Sequence, residues 1–87
     1  MDEKTLRTLV EAAAVKRARV VASGDSFRVE IDSAGRSFAV QTGKGSLRTW
    51  RSLDATAKWL RGVGIAQCVV DTVDWHPGQR ALPLGKD

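Results

Sequence analysis

The stretch FRVEID, residues 27–32, decides the fold class of this 87-residue chain. Its apolar and charged residues alternate without a break: Phe27, Val29 and Ile31 with Arg28, Glu30 and Asp32. Successive side chains of an extended strand point to opposite faces. The alternation therefore predicts a strand with one buried face and one face in contact with water.

Further strands are predicted on both sides of this stretch. Upstream, KRARVVAS (16–23) has β-branched residues at its centre, and the turn signal GDS separates it from FRVEID. Downstream, a turn at SAGR leads to SFAVQ (37–41), which repeats the alternation with Phe38 and Val40 facing inward. Short turns between such strands predict an antiparallel meander.

The second half of the chain is predicted to add extended segments before and after a helix. SLRTWR (46–51) is interpreted as a fourth short strand or an extended approach to that helix. IAQCVVDTVDW (65–75) predicts a final strand, in which Cys68 would be a small buried side chain. HPGQRALPLGKD (76–87) contains both prolines of the chain and is predicted to be a flexible C-terminal tail.

Two helices are predicted from apolar spacing. The first begins near Thr5, with Asp2 or Thr5 as its N-cap, and its apolar residues lie on one helix face: Leu6, Leu9, Val10 and Ala13. The second begins after an N-cap at Ser52, and its predicted core stripe consists of Leu53, Ala57 and Leu60.

These elements predict a small α+β domain with the order α-β-β-β-(β)-α-β. An antiparallel sheet with both helices packed on one face would bury all the apolar stripes together. The chain has room for one hydrophobic core, so residues 1–75 are expected to form a single globular domain.

The composition predicts a cytoplasmic protein. The single cysteine, Cys68, excludes an intramolecular disulfide, and small secreted domains usually depend on several. The chain starts with Met1 and two acidic residues, without the basic leader of a signal peptide. No stretch approaches the ~18 apolar residues of a membrane helix, so no membrane contact is expected.

The net charge of +4 is concentrated in one segment, residues 43–62. Five basic residues and one acid lie there, which gives +4, and the remaining residues hold nine charges of each sign. Such asymmetry is typical of proteins that bind anions such as nucleic acid, although a solvated helix surface would have the same composition. The predicted nucleic-acid contacts are Lys44, Arg48, Trp50, Arg51, Lys58 and Arg61.

No catalytic or metal-binding group is predicted. His76 is the only histidine, and it lies at the start of the predicted tail, where a surface histidine is expected rather than a general base. Eight residues of extended chain would separate it from Cys68 by up to ~26 Å. We therefore expect a protein that is not an enzyme and has no cofactor, metal or small-molecule substrate.

The three tryptophans leave two hypotheses open. Trp50 stands between Arg48 and Arg51, an arrangement that single-stranded nucleic acid binders use for stacking. Alternatively, the protein is an adaptor or homodimer that contacts a partner protein or a second copy through a sheet edge or through Trp59 and Trp75.

The segment WRSLDATAKWLRGVGIAQCVVD, residues 50–71, resembles the ParC family, small partition-associated proteins of plasmids and conjugative elements that are distinct from the topoisomerase subunit of that name. The shared features are an aromatic and basic lead-in, a capped Leu-Asp helix, an aromatic-Leu pair, a Gly-Ile exit and a strand that ends in Val-Asp. The resemblance implies a bacterial accessory role in plasmid maintenance or transfer through binding. It carries no catalytic motif, so it implies no site residues.

Overall fold

The computed structural model describes residues 1–77, and the predicted tail from residue 78 onward lies outside them. The chain forms a small α+β domain from two helices and four strands. In chain order they are α1 (Glu3–Glu11), β1 (Arg17–Ser23), β2 (Ser26–Ser33), β3 (Arg36–Ala39), α2 (Leu53–Gly62) and β4 (Val69–Asp71). Within the described residues, no helix is long and apolar enough to cross a membrane.

The apolar side chains that alternate along β2 are buried, as predicted. Phe27, Val29 and Ile31 are buried, with 3%, 0% and 0% of their surface exposed, and they form one side of the core. Leu6 of α1 and Leu60 of α2 belong to the same core cluster. Both helices therefore pack on this face of the sheet, as predicted.

The opposite face of the sheet carries a network of ion pairs across neighbouring strands. Arg19 of β1 contacts Glu30 at 3.0 Å and Asp32 at 2.9 Å, both on β2. Arg28 also contacts Glu30, at 2.9 Å, and the Ser37 hydroxyl of β3 donates to Asp32 over 2.7 Å. Hydrogen bonds from Arg19 and then from Ser37 hold the pKa of Asp32 below its ordinary value.

The sheet has the strand order β3-β2-β1-β4 and is mixed, so the predicted antiparallel sheet is wrong for its last strand. β1 and β2 pair antiparallel, as do β2 and β3, because short turns join them. β4 pairs parallel with β1. The crossover through α2 returns the chain to the end of the sheet at which β3 began, so β4 runs in the direction of β3 and β1.

The fourth short strand considered for residues 46–51 does not form. Two isolated bridges are found instead, between Gln41 and Leu47 and between Phe27 and Trp50. The peptide groups of Phe27 and Trp50 exchange two hydrogen bonds of 2.9 and 2.8 Å. The segment is thus an extended approach to α2 that is anchored at the start of β2.

The final strand is shorter and more exposed than predicted. Only three residues of the predicted strand 65–75 pair as β4, and every residue from 66 to 77 is exposed. The prediction that Cys68 is buried is wrong: Cys68 is exposed in the segment that directly precedes β4.

Both helices are capped, but the predicted core stripe of α2 is confirmed only at Leu60. Asp2 is the N-cap of α1 and accepts from the Thr5 amide over 2.9 Å, and Ser52 is the N-cap of α2 as predicted. The buried side chains of the α2 segment are Thr56, Leu60 and Val63, whereas Leu53 and Ala57 are exposed. Thr56 can be buried because its hydroxyl donates to the Ser52 carbonyl over 2.8 Å.

Candidate functional site

Arg48, Trp50 and Trp59 form a compact cluster at the junction between the chain that precedes α2 and α2 itself. The Arg48 guanidinium carbon lies 5.1 Å from the Trp50 ring centroid and 5.0 Å from that of Trp59. The two ring centroids are 4.9 Å apart and the ring planes are tilted by 48°. Arg48 thus makes cation–π contacts with both indoles, which are stronger when the ring and the cation are partly removed from water.

Glu3 of α1 completes this cluster, which we call the arginine–tryptophan cluster (Glu3, Arg48, Trp50 and Trp59). Its Oε1 accepts from the Trp59 indole N–H over 3.2 Å and lies 3.4 Å from Nη1 of Arg48. Its Oε2 accepts from Nε of Arg7 over 3.0 Å. Hydrogen bonds from Arg7 and then from Trp59 hold the pKa of Glu3 below its ordinary value.

The role of Glu3 was not predicted from the sequence. Its spacing of four residues from Arg7 is the one signal that was visible, since it is typical of an ion pair on a helix. The contact with Trp59 spans 56 residues and depends on how the two helices pack. No pattern along the chain indicates such a contact.

The cluster gives Arg48, one of the predicted nucleic-acid contacts, partners within the fold that the sequence did not predict. Its guanidinium is already occupied by a carboxylate and two indole rings, and its side chain is 35% exposed. The residue therefore anchors the approach to α2 within the fold.

The other predicted cations are exposed but lie on different elements. Lys44 lies in the turn after β3, and Arg51 directly precedes the N-cap of α2. Lys58 and Arg61 lie three residues apart on α2, so the fold brings these two side chains together. Lys58 pairs with Asp54 at 3.2 Å, with both side chains 78% exposed, and such exposed pairs are weak.

A groove of about 690 Å³ lies beside Arg51, between the start of α2 and the end of the described chain. Aromatic side chains from three parts of the chain line it: Phe27, Trp50 and Trp75. Trp75 is 41% exposed, and its ring centroid lies 6.1 Å from that of Phe27. The structure thus brings Trp50 and Trp75 to one concave surface, whereas Trp59, the other predicted partner contact, is absent from the groove lining and engages Glu3.

His76 donates its peptide N–H to the Gly24 carbonyl over 2.7 Å, and this bond ties the chain to the turn between β1 and β2. Among residues 1–77, no group of three His, Cys, Asp or Glu side chains is placed to hold a metal ion.

Comparison with known proteins identifies one family. A family model described as ParC-like matches residues 1–79, which is most of the chain. No curated protein and no solved structure matches.

Proposed function

The chain belongs to the ParC-like family, and we propose that it is a non-enzymatic accessory protein of plasmid partition, maintenance or transfer that binds nucleic acid. The contact surface would be formed by the basic residues around α2 that remain exposed: Arg51, Lys58 and Arg61. Lys44, in the preceding turn, would extend this surface along the segment of residues 43–62.

The position of the charge excess is the main support for this proposal. The whole formal charge excess of the chain lies in residues 43–62, and within the described part of the chain Arg51 and Arg61 make no ion pair. Exposed cations without a carboxylate partner can bind phosphates without first breaking an internal contact. Each phosphate that they neutralise releases condensed counterions, which drives binding.

The arginine–tryptophan cluster supports the proposal indirectly. It holds the approach to α2 against the helix, because Arg48 and Trp50 precede α2 while Trp59 lies within it. Arg51 directly follows Trp50 and is therefore presented from a fixed segment. A fixed cation loses less conformational freedom on binding than one on a mobile loop.

The aromatic groove supports a contribution from base stacking. Trp50 and Trp75 line it, and Arg51 lies at the same surface. An unpaired base could stack on an exposed indole in this groove while Arg51 contacts its phosphate, and such stacking contributes about 1–3 kcal/mol per base. We therefore expect tighter binding to single-stranded DNA than to duplex DNA of the same length.

Fluorescence anisotropy with labelled single-stranded and duplex DNA over a salt series tests the proposal. Arg51→Ala with Arg61→Ala should weaken binding and make the slope of log K against log salt less steep, by about 0.9 per lost duplex phosphate contact. The matched control is Lys4→Ala with Arg36→Ala, which removes two exposed charges from elsewhere in the fold. Trp75→Ala should weaken single-strand binding more than duplex binding.

Two results would contradict the proposal. The first is the absence of binding to either DNA at low salt. The second is an equal loss of affinity in both double variants, which would mean that total charge matters and the segment around α2 does not.

A further inference from the structure

β4 differs from the other strands because its apolar side chains face solvent. Val69 is 48% exposed and Val70 is 40% exposed, and Val73 in the following turn is 83% exposed. Pairing with β1 places Val70 on the core face of the sheet, beside Val20, and Val69 on the opposite face. Both faces of this strand therefore present apolar surface to water.

The two edges of the sheet differ in what covers them. At the β3 edge, the Met1 ammonium donates to the Ala39 carbonyl over 3.1 Å, and the Gln41 amide donates to the Met1 carbonyl over 2.7 Å. The N-terminus thus covers part of that edge. Within residues 1–77, β4 has β1 on one side and no strand on the other.

Two common protections against strand pairing, lysine and proline, are missing at the edge of β4, which is three residues long and carries one charged residue, Asp71. Proteins often prevent pairing at an edge by placing lysine or proline there, and neither residue occurs between positions 65 and 75. An uncovered edge with apolar side chains is a template for the addition of another strand.

We propose that β4 pairs antiparallel with β4 of a second copy of this chain. A two-fold axis through Val70, the central residue of the strand, would join two four-stranded sheets into one of eight strands. The interface would bury Val70 against its own counterpart and Val69 against the region around Asp71. This assembly goes beyond the proposed nucleic-acid binding and would place two binding surfaces on one particle.

The charges at the ends of β4 match this arrangement. The acids Asp71 and Asp74 lie at the C-terminal end, whereas Lys16 and Arg17 line a shallow groove with Gln67 at the N-terminal end. Antiparallel pairing places the acidic end of each copy opposite the basic end of the other. A parallel arrangement would place like charges together, so the charges favour a second copy in the two-fold arrangement.

The only cysteine provides a probe of the full-length chain. In the proposed pairing, the two Cys68 Cα atoms would lie about 14 Å apart, four residues along the strands and one strand spacing across. Cys68 is exposed. A bismaleimide of that span should therefore cross-link the wild-type chain into a dimer, and light scattering coupled to size exclusion should give twice the monomer mass.

Val70→Lys should raise the dimer dissociation constant by more than about tenfold, because two ammonium groups would meet at the axis. Leu47→Lys is the matched control, since Leu47 is 51% exposed and lies away from β4, beside Gln41. Val69→Lys is a second edge variant in case Val70→Lys does not fold, as judged by circular dichroism.

A charge exchange tests the antiparallel arrangement. Asp71→Lys and Arg17→Glu should each weaken the dimer, and combining them should restore it.

The outcomes separate this proposal from the alternatives. A monomer at all concentrations overturns it, as does a dimer that survives both edge substitutions or is lost in Leu47→Lys. A double charge variant no better than the single variants overturns the antiparallel arrangement. A dimer that depends on Val70 and Val69 but not on Leu47, and that the double charge variant restores, supports it.

Discussion

The indole N–H of Trp59 on α2 donates to the carboxylate of Glu3 on α1 over 3.2 Å, although 56 residues separate the two along the chain. The same carboxylate accepts from Arg7 of α1 and pairs with Arg48 of the approach to α2. One side chain thus connects three segments. The two helices are held side by side over the same face of the sheet, and the tryptophans are held against Arg48.

Replacing Glu3 should destabilise the domain more than replacing an unengaged acid of the same helix. Glu3→Ala removes the acceptor of three donors, and we expect a loss of about 1–2 kcal/mol in the free energy of unfolding. Glu11→Ala is the control, because Glu11 is exposed at the end of α1, and its effect should be within about 0.5 kcal/mol. Urea unfolding followed by tryptophan fluorescence measures both, and equal losses would contradict the role assigned to Glu3.

The lowered pKa of Glu3 predicts how this contribution depends on pH. A carboxyl group with a lower pKa in the folded state stabilises the protein above its unfolded pKa, about 4.3 for glutamate, and loses that contribution as the pH falls through the folded pKa. The stability difference between wild type and Glu3→Gln should therefore be largest near neutral pH and shrink in acid. Urea midpoints over a pH series check this, and a difference that is constant with pH would exclude the charge of Glu3 as its source.

The N-cap of α2 predicts a local effect on stability. The Ser52 hydroxyl accepts from the Ala55 amide over 3.0 Å, and Ser52→Ala should reduce the free energy of unfolding by about 1 kcal/mol. Ser46→Ala is the control, because Ser46 is also exposed but precedes no helix. Thermal unfolding by circular dichroism compares the two variants. A loss in Ser46→Ala as large as that in Ser52→Ala would contradict the assignment of the cap.

Both the backbone conformation at position 64 and the packing around it favour glycine. The φ of Gly64 is +100°, and a Cβ atom there would lie 3.0 Å from Cγ1 of Val10 on α1. Gly64→Ala should cost about 1–2 kcal/mol from the backbone conformation alone. Gly43→Ala is the control, since Gly43 has no positive φ and nothing within 4 Å of the added atom. Chemical denaturation measures the loss of unfolding free energy in both variants. Equal losses would contradict the prediction and would mean that the backbone after α2 adjusts to the added Cβ atom.

The helix faces show where sequence reasoning failed and why. Leu53 and Ala57 were predicted to face the core because they are apolar, but the buried face of α2 includes Thr56. A threonine can replace an apolar residue there because the helix itself supplies an acceptor for its hydroxyl, the Ser52 carbonyl. Hydrophobicity along the helix did not contain this information, since the direction of the buried face was set by the packing of α2 against the sheet and α1.

The sequence by itself determined the features that depend on neighbouring residues. The alternation of FRVEID specified a strand with one buried face, because side chains of an extended chain alternate whatever surrounds them. Turn residues specified the β1–β2–β3 meander, and Ser52 specified the start of α2. These features follow from backbone geometry over a few residues.

Only the tertiary structure decided the direction of β4 and the residues that surround the Arg48 guanidinium. A three-residue strand has too few side chains to select its neighbour, so the crossover through α2 brought it to β1 in parallel orientation. Arg48 has the sequence surroundings of a nucleic-acid contact, yet helix packing placed Glu3 and two indoles around its guanidinium. Both results depend on contacts between residues far apart in the chain, which local patterns do not encode.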